Sequence, residues 1–177
     1  MGLHFRFPTP RPGDFPENNV VYGRLYRCPG RWQGRPVIIL LHGGNDFINH
    51  RFRFPLIARR CNRAGFNAAT LVAPYHFQRY PRQLGAGKLS GPDYLLDAKA
   101  FAQAVAEIRA VTGWLLGEGC PAVALWGYRV LCFLGYLLLD LEPATFRADG
   151  TDFFPCVLLA FRLRFERGDQ GRRHRVF

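Results

Sequence analysis

Residues 37–46 read VIILLHGGND. The first five form a short, unbroken apolar run. A turn-rich stretch precedes it (PGRWQGRP, 29–36) and a His-Gly-Gly loop follows it. Such a run, too short for a helix and bounded by turn formers, suits a central strand covered on both faces. Two more runs share its character: AATLVA (68–73), stopped by Pro74, and PAVALW (121–126), stopped by Gly127. A helix is expected between the first two, from Pro55 to Ala64, with Leu56, Ile57, Cys61 and Ala64 on one face; Pro55 suits a first turn and Gly65 a cap. A second helix is expected from Asp93 to Leu116. There Ala98, Phe101, Val105, Ile108 and Val111 recur at spacings of three and four. A very apolar helix is expected over 130–139. Strands alternating with helices predict an α/β domain, its strands parallel and joined by crossover helices. Ligand sites in such sheets lie beyond the carboxyl ends of the strands. Two loops fall there, HGGN after the first run and GYRVL after the third.

Outward from this core the pattern weakens. Residues 1–18 are rich in Pro and read as an extended N-terminal arm. Residues 19–28 (NVVYGRLYRC) carry the β-branched and aromatic residues of a strand. Residues 75–92 read as a loop. Residues 141–177 read as an irregular basic segment in which only FPCVLLAFRLRF (154–165) suggests another strand, an exposed edge by the alternation in AFRLRF.

The bulk numbers narrow the class. One domain suits 177 residues, and 49% hydrophobic residues suffice for a core. The net charge is +11, almost all from Arg. The cations are scattered rather than gathered in a patch, and no RNA-recognition signature appears, so nucleic-acid binding ranks last. Five cysteines without a C-x-x-C pair signal neither a disulfide framework nor a zinc site. Reduced thiols in a soluble, cytoplasmic protein are expected, with no cofactor and no metal. The N-terminus lacks a signal-peptide pattern, and no apolar stretch is long enough for a bilayer.

Residues 37–46 together with 121–135 (PAVALWGYRVLCFLG) resemble the α/β-hydrolase superfamily, near its bacterial esterase and lipase branch. The segment RRCNRAGFNAATLVAPYHFQRYPR between them is similar to the helix, strand and loop that separate those motifs, and the likeness covers about 19–140. The resemblance implies a nucleophile elbow, G-x-S-x-G, on a sharp strand-to-helix turn. It implies an oxyanion hole built from the backbone N–H after the nucleophile and one from the His-Gly loop. Carried over, these are Val130 and Gly44, with Gly43 allowing close backbone approach. His42, Asn45, His76 and Tyr128 would line the site, His42 as a structural residue that holds the loop by hydrogen bonds.

Here the sequence departs from the family. Gly127 matches the first elbow glycine, but Arg129 stands where Ser is required and Leu131 where the last Gly is required. A guanidinium stays protonated at any useful pH and cannot attack a carbonyl. About 48 residues follow Arg129, too few for the remaining strand-helix units at roughly 30 residues each. The expectation is therefore a partial α/β-hydrolase fold with a mostly parallel sheet, its C-terminal strands missing. The implied lineage acts on a small-molecule ester or acyl substrate. The chain itself reads as a truncated or frame-shifted product, or a pseudoenzyme. The alternative is a non-catalytic protein that binds an anionic ligand at Arg129. His76 reads first as a loop histidine, and Arg79 and Arg82 as surface charges. Cys132 is expected to be inert. An uncovered sheet edge would favour self-association.

Overall fold

The computed structural model describes residues 2–43, 47–84, 94–127, 146–147 and 157–161. The chain runs β1 (Leu3–Pro8), β2 (Val20–Tyr26), β3 (Val37–Leu41), α1 (Phe54–Arg63), β4 (Asn67–Leu71), α2 (Tyr94–Gly117), β5 (Val123–Gly127), β6 (Phe146–Arg147) and β7 (Val157–Phe161). One sheet contains these strands in the order β1-β2-β4-β3-β5-β7-β6.

The three apolar runs form its centre. β3 lies between β4 and β5 and is parallel to both. Crossover connections carrying α1 and α2 return the chain to the starting edge of the sheet, as parallel pairing requires. The flanks are antiparallel: β1 on β2, β2 on β4, β7 on β5 and β6 on β7. The sheet is thus mixed, with the expected parallel order confined to its middle.

The pleat of β3 divides the core in two. Val37, Ile39 and Leu41 pack on one face with Ile108, Val111 and Leu115 of α2. Leu40 packs on the other face with Phe54 and Ala58 of α1. Burying each such aliphatic side chain is worth about 1.5–3 kcal/mol, and β4 is buried at all five of its positions.

Four expectations need correction. Residues 3–8, read as part of an extended arm, are paired into the sheet as an edge strand. Phe5 turns inward onto Trp114 at 5.3 Å between ring centroids, and Pro8 ends the strand where its missing N–H costs nothing. On α1 the buried face is Phe54 and Ala58 with Ile57 and Cys61 beside them, while Leu56 and Ala64 face solvent. On α2, Ala98 is exposed; the buried line runs through Ala100, Ala104, Ile108, Val111 and Leu115. This rotation of α2 brings the polar Gln103 and Glu107 inside. Finally, β7 is flanked by both β5 and β6. Its continuous run VLLAF suits that interior place, and the charged alternation expected to mark an edge begins only after Phe161. The apolar helix expected over 130–139 lies outside the described residues, and so does Cys132.

Candidate functional site

The site is set by register. Leu41 at the end of β3 pairs with Gly127 at the end of β5. The His42–Gly43 loop and the chain that leaves Gly127 therefore start from adjacent strand ends, on the side of a parallel sheet where ligands bind.

His42 is fully buried. Its Nε2 accepts the backbone N–H of Ala73 at 3.0 Å, so that nitrogen carries no proton. Nδ1 carries it and donates to the Gly43 carbonyl at 2.8 Å. Both ring nitrogens are thus occupied by backbone. Burial, then the nearby His76, His50 and Arg79, lower the pKa of His42 to about 3 against the pull of the Gly43 carbonyl. This imidazole is neutral at physiological pH and pins the loop after β3 to the end of β4. It has no free nitrogen with which to act as a base.

Around it lie two more histidines and a phenylalanine. The His42 ring centroid stands 5.3 Å from His50, 5.0 Å from His76 and 4.9 Å from Phe77. His50 is carried by a single π-helical turn, Asn49–Arg53, leading into α1. Such turns re-aim side chains at functional sites; here Phe52 is turned out to solvent while His50 is half-buried. Burial, then Arg24 and Arg51, lower the His50 pKa to about 4. His76 donates from Nδ1 to the Pro74 carbonyl at 2.8 Å, and burial holds its pKa below the ordinary value. Three imidazoles together invite a metal, but backbone already engages both nitrogens of His42 and one of His76. Among the described residues no group of three or more His, Cys, Asp or Glu is arranged to hold one.

His76 sits between two strained residues. Tyr75 and Phe77 have φ of 58° and 50°, a conformation that costs non-glycine residues about 1–3 kcal/mol each. A buried polar network holds this loop. Arg79, read from sequence as a surface charge, is fully buried. Its Nη1 donates to Glu107 Oε2 at 2.8 Å and to the Val72 carbonyl at 2.7 Å. Its Nη2 donates to Glu107 Oε1 at 2.6 Å and to the Asn18 carbonyl at 2.6 Å. Thr9 and Gln103 also donate to Glu107 Oε1. Asn18 Oδ1 accepts the Tyr75 N–H at 2.9 Å, which fixes the strained residue directly. Arg82, in contrast, is exposed as expected.

Of the expected site residues, the structure brings together His42, Gly43 and His76. Gly44, Asn45, Tyr128, Arg129 and Val130 lie outside the described residues. Sequence reading missed His50, Phe77 and Glu107, and placed Arg79 at the surface. The thiols agree with expectation where described: Cys28 and Cys120 are buried, Cys28, Cys61 and Cys120 are all free, and burial pushes the Cys120 pKa up to about 11.

The fold has counterparts among solved structures. A cold-adapted esterase from an Arctic intertidal metagenomic library superposes with a TM-score of 0.54 at 16% identity, over 76% of this chain and 53% of its own. The fold is that of an α/β hydrolase. A protein of unknown function from Agrobacterium tumefaciens aligns at 17% identity over 80% of this chain and 56% of its own, with a TM-score of 0.48. An α/β serine hydrolase without a lid, from Xanthomonas campestris, aligns at 14% identity over 78% and 56%, with a TM-score of 0.45. The chain spans about half the length of these three proteins, between 53% and 56%. No family model and no curated protein sequence matches it. Among the described residues no helix is long and apolar enough to cross a membrane.

Proposed function

We propose that this chain descends from esterase-like α/β hydrolases, retains their loop scaffold, and does not itself hydrolyse esters. The pairing of Leu41 with Gly127 carries the reading. It starts the His-Gly loop and the segment that follows Gly127 from neighbouring strand ends, which is where an oxyanion hole would need them. At the nucleophile position the sequence supplies a guanidinium, which has no lone pair to offer a carbonyl carbon.

The surroundings suit a small acyl compound as ligand. Phe47, Ile48 and Phe52 are exposed by 54%, 64% and 59%, beside the His-Gly loop. Phe47 contacts Phe77 at 5.9 Å between centroids, joining this apolar lip to the histidine cluster. Exposed aromatic groups clustered at a strand end mark a ligand or partner surface more than a solvated one.

The test is hydrolysis of p-nitrophenyl acetate and p-nitrophenyl butyrate by the purified protein. Release of p-nitrophenol at the buffer rate is expected. Sustained turnover that an organophosphate blocks would overturn the reading, because it requires an activated hydroxyl.

A further inference from the structure

A groove of about 460 Å³ lies over β1, β2 and β4, beside the turn that leads into α1. The pleat decides what lines it. Phe5, Val21 and Leu25 belong to the core on the α2 side, so their neighbours His4, Tyr22, Arg24 and Tyr26 face the α1 side. His4 pairs across β1–β2 with Arg24, and Arg24 across β2–β4 with Thr70. Arg6 pairs with Tyr22 one step along. His50 and Arg51 close the groove from the π-helical turn.

The lining has three arginines and two histidines and no carboxylate. Among the described residues the ion pairs are Arg79–Glu107 and Lys99–Asp14, so Arg6, Arg24 and Arg51 have no acidic partner there. Arg24 is held in place: Nε and Nη2 reach His4 Nε2 at 3.1 and 2.8 Å, and Nη1 donates to the Tyr26 hydroxyl at 3.3 Å. Its guanidinium also lies 5.9 Å from the Tyr26 ring centroid. Unneutralised cations on a partly enclosed surface favour an anion, and guanidinium forks match phosphoryl oxygens. The positive field is already felt inside the groove, where Arg24 and Arg51 add to burial in lowering the His50 pKa. The space exceeds what a bare phosphate fills and lies within the roughly 300–1,000 Å³ range of small-molecule sites. Tyr22 and Tyr26 supply an aromatic floor for the remainder of a ligand.

We propose that this groove binds a small organic phosphate, the phosphoryl group held by Arg6, Arg24 and Arg51 and the organic part laid on the two tyrosines. It is a second site, lined mainly from β1, β2 and β4 and not by the His42–Gly43 loop. His50 touches both regions, since its ring also packs on His42.

The experiment is calorimetric titration of the full chain with phenyl phosphate and, separately, with inorganic phosphate, in about 0.15 M salt to suppress long-range charge effects. Saturable binding of phenyl phosphate at least tenfold tighter than inorganic phosphate is expected. The Arg6→Ala/Arg51→Ala double variant, whose two side chains are exposed, should bind at least tenfold more weakly at an unchanged melting temperature. Arg109→Ala, on the exposed side of α2, should bind as the parent does. Absence of saturation, equal affinity in the double variant, or equal weakening by Arg109→Ala would each overturn the proposal. The last result would mean attraction by overall charge alone.

Discussion

Arg79 grips Glu107 through both terminal nitrogens, at 2.8 and 2.6 Å, with neither residue more than 2% exposed. The two lie 28 residues apart in sequence. Their contact joins the strained loop after β4 to the inner face of α2, and Thr9 and Asn18 bring in the N-terminal segment. A buried pair of this kind adds little over a well-packed apolar pair, but losing one member strands a charge, at about 3–5 kcal/mol. Arg79→Ala or Glu107→Ala should therefore lower the melting temperature by on the order of 10 °C. The double variant Arg79→Met/Glu107→Leu should be less destabilised than the sum of Arg79→Met and Glu107→Leu, by thermal unfolding of the parent and these three variants. Additive losses would mean that the two side chains act independently.

The histidine cluster sets an acid limit on stability. His42 and His50 have folded pKa values of about 3 and about 4, and His76 is also lowered, all below the ordinary 6.5. As pH falls below about 6.5 the unfolded chain takes up protons that the folded chain refuses. Stability is therefore complete above that pH and is lost as pH falls toward the folded values. Each histidine contributes a slope of up to about 1.4 kcal/mol per pH unit within that window. Urea midpoints measured at pH 7.5 and pH 5, above most carboxylate titration, should differ clearly in the parent. The difference should shrink in His50→Gln, whose amide carries no proton to titrate. An unchanged difference would show that His50 is protonated in the fold as readily as outside it.

The elements legible in the sequence were those that a local pattern dictates. VIILL, AATLVA and PAVALW had no other stable place than between two layers, and their parallel order followed from the helices between them. The structural role of His42 was implied only by the resemblance, and its bonds to the Gly43 carbonyl and the Ala73 N–H agree with it. The edge strand was obscured by Pro8, Pro10 and Pro12, although Leu3, Phe5 and Phe7 alternate. Arg79 was not legible from its surroundings, because YHFQRYPRQ has no period and its partner is remote. The available signal was on α2, where Gln103 and Glu107 lie four apart beside the apolar stripe, a polar line that burial must satisfy. His50 gave no signal, since its inward aim depends on a π-helical turn that residues 49–53 do not announce.

Gly23 shows how closely the edge strand is fitted. A Cβ added there would stand 2.1 Å from the Phe5 ring, which β1 lays across β2. Phe5 cannot simply swing away, because it is 7% exposed and packed on Trp114. Gly23→Ala should therefore cost about 1–3 kcal/mol through overpacking. Phe5→Leu shortens the intruding group, so Phe5→Leu/Gly23→Ala should be more stable than Gly23→Ala alone, as read from denaturant midpoints. If Phe5→Leu worsens the Gly23→Ala defect, the clash is relieved elsewhere and β1 is not held by this contact.

Placing a hydroxyl at residue 129 should not by itself create a hydrolase. Serine attack needs a base that takes its proton, and both nitrogens of His42 are already engaged by the backbone at Gly43 and Ala73. His76 has Nδ1 engaged at Pro74, and among the described residues its contacts are aromatic rings rather than an acid that would stabilise an imidazolium. The residue two past position 129 is Leu131, where an elbow calls for glycine. Arg129→Ser should accordingly leave p-nitrophenyl acetate hydrolysis at the buffer rate, and Arg129→Ser/Leu131→Gly should do the same. Turnover gained by the double variant and lost again on His76→Gln would identify His76 as a working base and overturn this expectation.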